Sequence, residues 1–128
     1  MPDYADMDMD DLDEEAWALR RQGAEDARHC KEICLHTAEV LLGREGDRQV
    51  NPDLLVVLQD CAEANQSAEN FLLRGSTNVG IISNLALEIC LACAESCERQ
   101  QDDGLIRDCA EVCRETMESL RRIGDLGA

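Results

Sequence analysis

Cys90, Cys93 and Cys97, followed by Cys109 and Cys113, stand at steps of three and four late in the chain. Cys30 and Cys34 repeat the step of four near its start, and Cys61 completes a set of eight cysteines. In an α-helix each residue turns about 100°, so steps of three, four and seven return to nearly the same face. Each group of thiols therefore points one way. Thiolates without carboxylate or imidazole partners select Cu(I), zinc or iron–sulfur chemistry. Calcium, magnesium and di-iron sites want inward oxygen and nitrogen ligands, and the cysteine faces carry neither. Zinc would close a single layer of four sulfurs and leave the other thiols without a role. A 4Fe–4S cluster also takes four thiolates. Cu(I) accepts two or three and bridges between them, so pairs one helical turn apart suit it and all eight thiols find a use.

Such an arrangement needs helices to carry it, and the composition supplies them. Trp17, Tyr4 and Phe71 are the only aromatic residues, and two prolines leave long runs rich in Ala, Leu, Glu and Arg, which favour helix. Asn51 followed by Pro52 forms a cap and first-turn pair, and Gly75 is a stop. The pattern predicts helices over about 12–42, 53–74, 78–100 and 105–123. Short connections make successive helices antiparallel neighbours. The expected fold class is all-α, an antiparallel up-down-up-down four-helix bundle with a thiol-lined core. Its 128 residues suit one domain, here 12–124, behind an acidic tail over 1–11 that reads as disordered.

The lengths of the turns set an expected register. Starting from Cys34, the partners across successive helices are Cys61, Cys93 and Cys113, one thiol from every helix in a single layer. On one side lies a layer of Cys30, Asn65, Cys90 and Thr116, and beyond it an apolar layer of Ala27, Ala68, Ala86 and Leu120. On the other side Cys97 and Cys109 face Ala38 and Val57 or Leu58. Asn65 stands where its amide can hydrogen-bond a thiolate and tune it, with Thr116 as a further outer partner. Met117 offers either a thioether at the edge of the site or ordinary packing. His29 and His36 lie well off the cysteine face of the first helix and read as surface residues.

The remaining features narrow the function. A formal net charge of -16 argues against nucleic acid or an anionic membrane as partner. The N-terminal stretch lacks the basic start and apolar run of a signal peptide, and no apolar stretch reads as long enough to cross a bilayer. The expected location is the cytoplasm, where reducing conditions favour metal binding over a disulfide framework for these cysteines. No Ser–His–Asp set, phosphate loop or H-E-x-x-H motif appears, so an enzyme is not expected.

The stretches "LLVVLQDCAEANQSAENFLLRGS", "ALEICLACAESCE" and "RDCAEVCRE" resemble the copper storage proteins, cysteine-rich four-helix-bundle copper-binding proteins with some ferredoxin-like relatives. The likeness runs from about residue 20 to the end. It implies a homo-oligomer, often a tetramer, of bundles that hold Cu(I) along a thiol-lined core. The ligands it implies are Cys30, Cys34, Cys61, Cys90, Cys93, Cys97, Cys109 and Cys113. Leu41, Asn65, Ser83, Ala86, Thr116 and Leu120 stand where such proteins tend to have further cysteines, mainly toward the ends of the bundle. Three readings follow: copper sequestration or storage, electron transfer by a 4Fe–4S cluster on Cys34, Cys61, Cys93 and Cys113, and a metal-free helical scaffold.

Overall fold

The computed structural model describes residues 8–44, 51–100 and 103–126, with side chains within 14–125. Four helices make up the described chain: α1 (Asp8–Gly43), α2 (Pro52–Leu73), α3 (Val79–Glu98) and α4 (Gly104–Leu126). No strand occurs among the described residues. The caps follow from local chemistry. The Asn51 side chain accepts from the Asp53 N–H at 2.9 Å, and Pro52 opens the first turn of α2. At the other end Gly75 adopts φ +63°, the Ser76 N–H reaches the Phe71 carbonyl at 3.1 Å, and the Gly75 N–H reaches that of Leu72 at 3.2 Å. That is a Schellman close, which needs a left-handed residue. Asp103 caps α4 through the Leu105 and Ile106 N–H groups and pairs with Arg44, the residue after α1. The arginine beside it holds the Asp103 carboxyl below its usual range.

Each helix packs along its length on two others, α1 on α2, α2 on α3, α3 on α4 and α4 on α1, while the diagonal pairs meet only through core side chains such as Cys61 and Cys113. The four-helix bundle is thus as expected. Direction is visible in paired contacts: Cys30 meets Cys113 while Cys34 meets Cys109, so α1 and α4 run antiparallel.

Three boundaries and one composition reading need correction. α1 begins at Asp8, ahead of the expected Leu12, so residues 8–11 of the expected tail are helical; 1–7 lie outside the described residues. Acidic residues such as Asp8 and Asp10 suit a helix N-terminus, where the dipole favours negative charge. α3 ends at Glu98 rather than near 100, and α4 runs on to Leu126. α3 is also long and apolar enough to cross a membrane, with a mean hydropathy of 1.5, contrary to the expectation that no stretch would be. Its apolar character has a local cause. One face carries Ile82, Ala86, Cys90, Cys93, Ala94 and Cys97 into the core, and Ile81 and Leu85 add apolar surface outside.

All eight cysteines are buried at 0% exposure, among alanines and leucines in the central cluster. Ala27, Ala68, Ala86 and Leu120 are likewise fully buried, as the expected apolar layer requires. Ala24, Leu72, Val79 and Ile123 form a separate apolar plug at the Gly75 end. Toward the other end lie the buried Leu41, Leu54, Leu58 and Ile106.

Candidate metal centre

Thiol steps of three and four put each helix's cysteines on its inward face, and antiparallel packing brings the faces together. The sulfurs of Cys30, Cys34, Cys61 and Cys113 lie within 4.8 Å of one another, and so do those of Cys34, Cys93, Cys109 and Cys113. Two four-sulfur groups therefore share one edge, Cys34 and Cys113. Individual spacings are 3.8 Å for Cys30–Cys113, 3.9 Å for Cys30–Cys61, 4.0 Å for Cys61–Cys113 and 3.8 Å for Cys34–Cys109. With metal–sulfur bonds of about 2.3 Å, sulfurs stand about 3.8 Å apart around a tetrahedral ion and about 4.0 Å apart around a trigonal one. The measured spacings match those around a first-row ion. All eight cysteines are free thiols.

Of the expected ring, Cys34, Cys61 and Cys113 share one group, and Cys93 joins Cys34 and Cys113 in the other. Cys61 pairs with Cys30 and with Cys90, the latter at 3.8 Å, and Cys93 falls in the other group. Counting loop residues sets register to within a few positions, and Cys109, one helical turn from Cys113, reaches Cys34 as well. A cluster of four irons must also fit inside its ligand sulfurs. Sulfurs this close suit single ions better than a cluster of four irons.

Cys90 and Cys97 flank the two groups, Cys90 beside Cys61 and Cys30, Cys97 beside Cys93 and Cys109. Asn65 sits with Cys30 and Cys90 as expected. It also contacts Cys61, one turn back on its own helix, which the step of four contains and the sequence reading missed. The Thr116 hydroxyl is engaged elsewhere: it donates to the Val112 carbonyl at 2.8 Å and lies 3.3 Å from that of Asp26. A buried threonine satisfies itself on its own helix, so Thr116 is no partner of the sulfurs. Met117 is buried within the core cluster. His29 and His36 are exposed.

Among the described residues no charged side chain is buried, so thiolate charge here meets only other thiols and one amide. The thiols answer by dividing the protons among themselves. Cys113 is held far above the ordinary thiol value of 9.0, chiefly by its hydrogen bond to Cys109. The hydrogen bond to Cys113 in turn lowers Cys61 and Cys109 far below that value and Cys30 to about 6. Cys34, Cys93 and Cys97 are pushed up, chiefly by donating to Cys109, and Cys90 by donating to Cys30. The sulfurs thus share their protons along one hydrogen-bonded array. A soft cation that displaces those protons satisfies every lone pair at once.

The chain matches the family model for copper storage protein over residues 18–124. A crystal structure of a Nitrosospira multiformis protein superposes with a TM-score of 0.76 at 34% identity, covering 85% of this chain and 97% of that one. No curated protein matches. The matched region takes in all four helices and every cysteine of the core, and the chain belongs to the copper storage protein family.

Proposed function

We propose that this protein binds Cu(I) through core thiolates and serves copper sequestration or storage in the cytoplasm. The observation that carries the reading is the pair of four-sulfur groups sharing Cys34 and Cys113, all at 0% exposure. A shared edge of two thiolates is what bridged Cu(I) needs, because each bridging sulfur serves two ions. Zinc, which prefers a closed four-ligand site of its own, has less use for it. Cys30, Cys34, Cys61, Cys93, Cys109 and Cys113 are the proposed ligands of this centre, with Cys97 beside Cys93 and Cys109 as a further one, and the full burial of the sulfurs keeps water from it. No role in catalysis is assigned: the thiols are enclosed and the cargo is the ion itself.

Exposed Ile81 and Leu85 on α3, with Val56 on α2, support the homo-oligomer that the family likeness implies. Sedimentation of Ile81→Asp/Leu85→Asp against the native chain tests it; an unchanged coefficient counts against that face.

The copper reading is tested by titrating reduced, metal-free protein anaerobically with Cu(I) against a chromogenic chelator. Several equivalents retained per chain, with a colourless product, are expected. Brown protein from iron-supplied anaerobic cells would support the iron–sulfur alternative, and no stoichiometric metal would leave a helical scaffold.

A further inference from the structure

Asn65 is fully buried, and its side-chain nitrogen lies against three sulfurs: Cys90 at 3.3 Å, Cys61 at 3.4 Å and Cys30 at 3.6 Å. The same nitrogen donates to the Cys61 carbonyl at 2.8 Å. That bond fixes the amide's orientation, since the reverse would set two carbonyl oxygens against each other. One N–H goes to the backbone and the other is left for the triangle of sulfurs. The Asn65 oxygen, Oδ1, has no partner, so the amide is held here at the cost of a buried unsatisfied acceptor.

Cys90 depends on this triangle. Its sulfur neighbours are Cys61 and Cys30, and it belongs to neither four-sulfur group. An ion held by all three sulfurs would face the proton of the Asn65 amide. The proton stands where the cation's charge would go. Cys30 and Cys61 keep their other lone pairs for the central group, whereas Cys90 has no second face. Cys97 is its counterpart beyond the other group, beside Cys93 and Cys109, and no amide among the described residues covers it.

We infer that Asn65 closes this end of the thiol array to metal: its amide takes the place of an ion above Cys30, Cys61 and Cys90, leaves Cys90 unmetallated, and so sets the capacity of the core. The inference rests on the copper reading and refines it. Asn65 is in this sense a capacity-determining residue whose substitution should change how many ions are held.

The test compares full-length, reduced native protein with Cys90→Ala, Cys97→Ala, Asn65→Ala and the Asn65→Ala/Cys90→Ala double variant, each titrated with Cu(I) against a chelator. Expected are unchanged equivalents for Cys90→Ala, a loss for Cys97→Ala, a gain of about one equivalent for Asn65→Ala, and return to the native value in the double variant. The gain and its reversal distinguish a closed face from mere structural support, which would lower capacity in every Asn65 variant. A lower capacity for Cys90→Ala in the native background overturns the inference. Should Asn65→Ala fail to show native helicity, Asn65→Ser, whose hydroxyl is too short to cover the triangle, replaces it. If the native chain takes up no Cu(I), the copper reading fails by itself. The same proteins titrated with Cd(II), another thiolate-seeking ion, then decide the inference by the same pattern.

Discussion

Cys34 and Cys113 do what no other pair in the core does, since each belongs to both four-sulfur groups. Removing either breaks both sites, so Cys34→Ala or Cys113→Ala should cost about half or more of the Cu(I) capacity. A Cys97→Ala change, outside both groups, should cost less. Chelator competition checks the order. Protonation gives a second prediction at this scale. The raised thiols Cys34, Cys90, Cys93, Cys97 and Cys113 hold protons more tightly folded than unfolded, so their contribution is full below 9.0 and is lost as pH rises beyond it. Cys30, lowered to about 6, does the opposite: its contribution is full above 9.0 and fades as pH falls toward 6. Reduced, metal-free protein should therefore melt at increasing temperature from pH 6 to about 9 and at decreasing temperature above it. A circular dichroism series across that range, with reductant present, gives the answer; a flat profile would contradict the proton pattern. The sulfur types and spacings were legible in the sequence, as was Asn65's place beside Cys30 and Cys90. The division of thiols between two groups was not, because residue counts through the turns fix the register only to within a few positions.

At the scale of the helices, local signals carried most of the fold. Asn51 and Pro52 open α2 and Gly75 closes it, where a capping side chain, a fixed φ and a left-handed glycine are each written into the residue type. The start of α1 was less legible, since Asp8 and its acidic neighbours read equally as a charged tail or as a first helical turn. Gly75 makes the strongest prediction here. Its φ of +63° disfavours any Cβ, and a Cβ built there would stand 3.1 Å from the Trp17 ring, which packs across the turn from α1. Gly75→Ala should destabilise the bundle by about 1–2 kcal/mol, read as a lower denaturant midpoint at unchanged slope. Copper capacity should stay as it was, because the thiols lie beyond the apolar plug of Ala24, Leu72, Val79 and Ile123.

For the molecule as a whole, the core is sulfur and alanine where other bundles place large side chains. Ala27, Ala68, Ala86 and Ala94 are fully buried, and among the described residues no tryptophan or tyrosine is buried. Small groups bury little area each, so the metal-free fold has little apolar burial per residue to stabilise it. Bound ions should supply much of what is missing. At free Cu(I) about a hundredfold above the dissociation constant, a single site adds about 2.7 kcal/mol, and further sites add to it. Loaded protein should melt well above the metal-free form, and a strong chelator should reverse the gain. Equal melting of the two forms would count against a metal-binding core.

The complete enclosure of the sulfurs also bears on how fast they can be reached. A cage whose spacing already suits its cargo needs no folding step, yet 0% exposure leaves no standing channel to it. Uptake must then wait for the helices to part. At high metal supply the filling rate should level off at the speed of that opening, and the same motion, run backwards, would keep the cargo from leaking away.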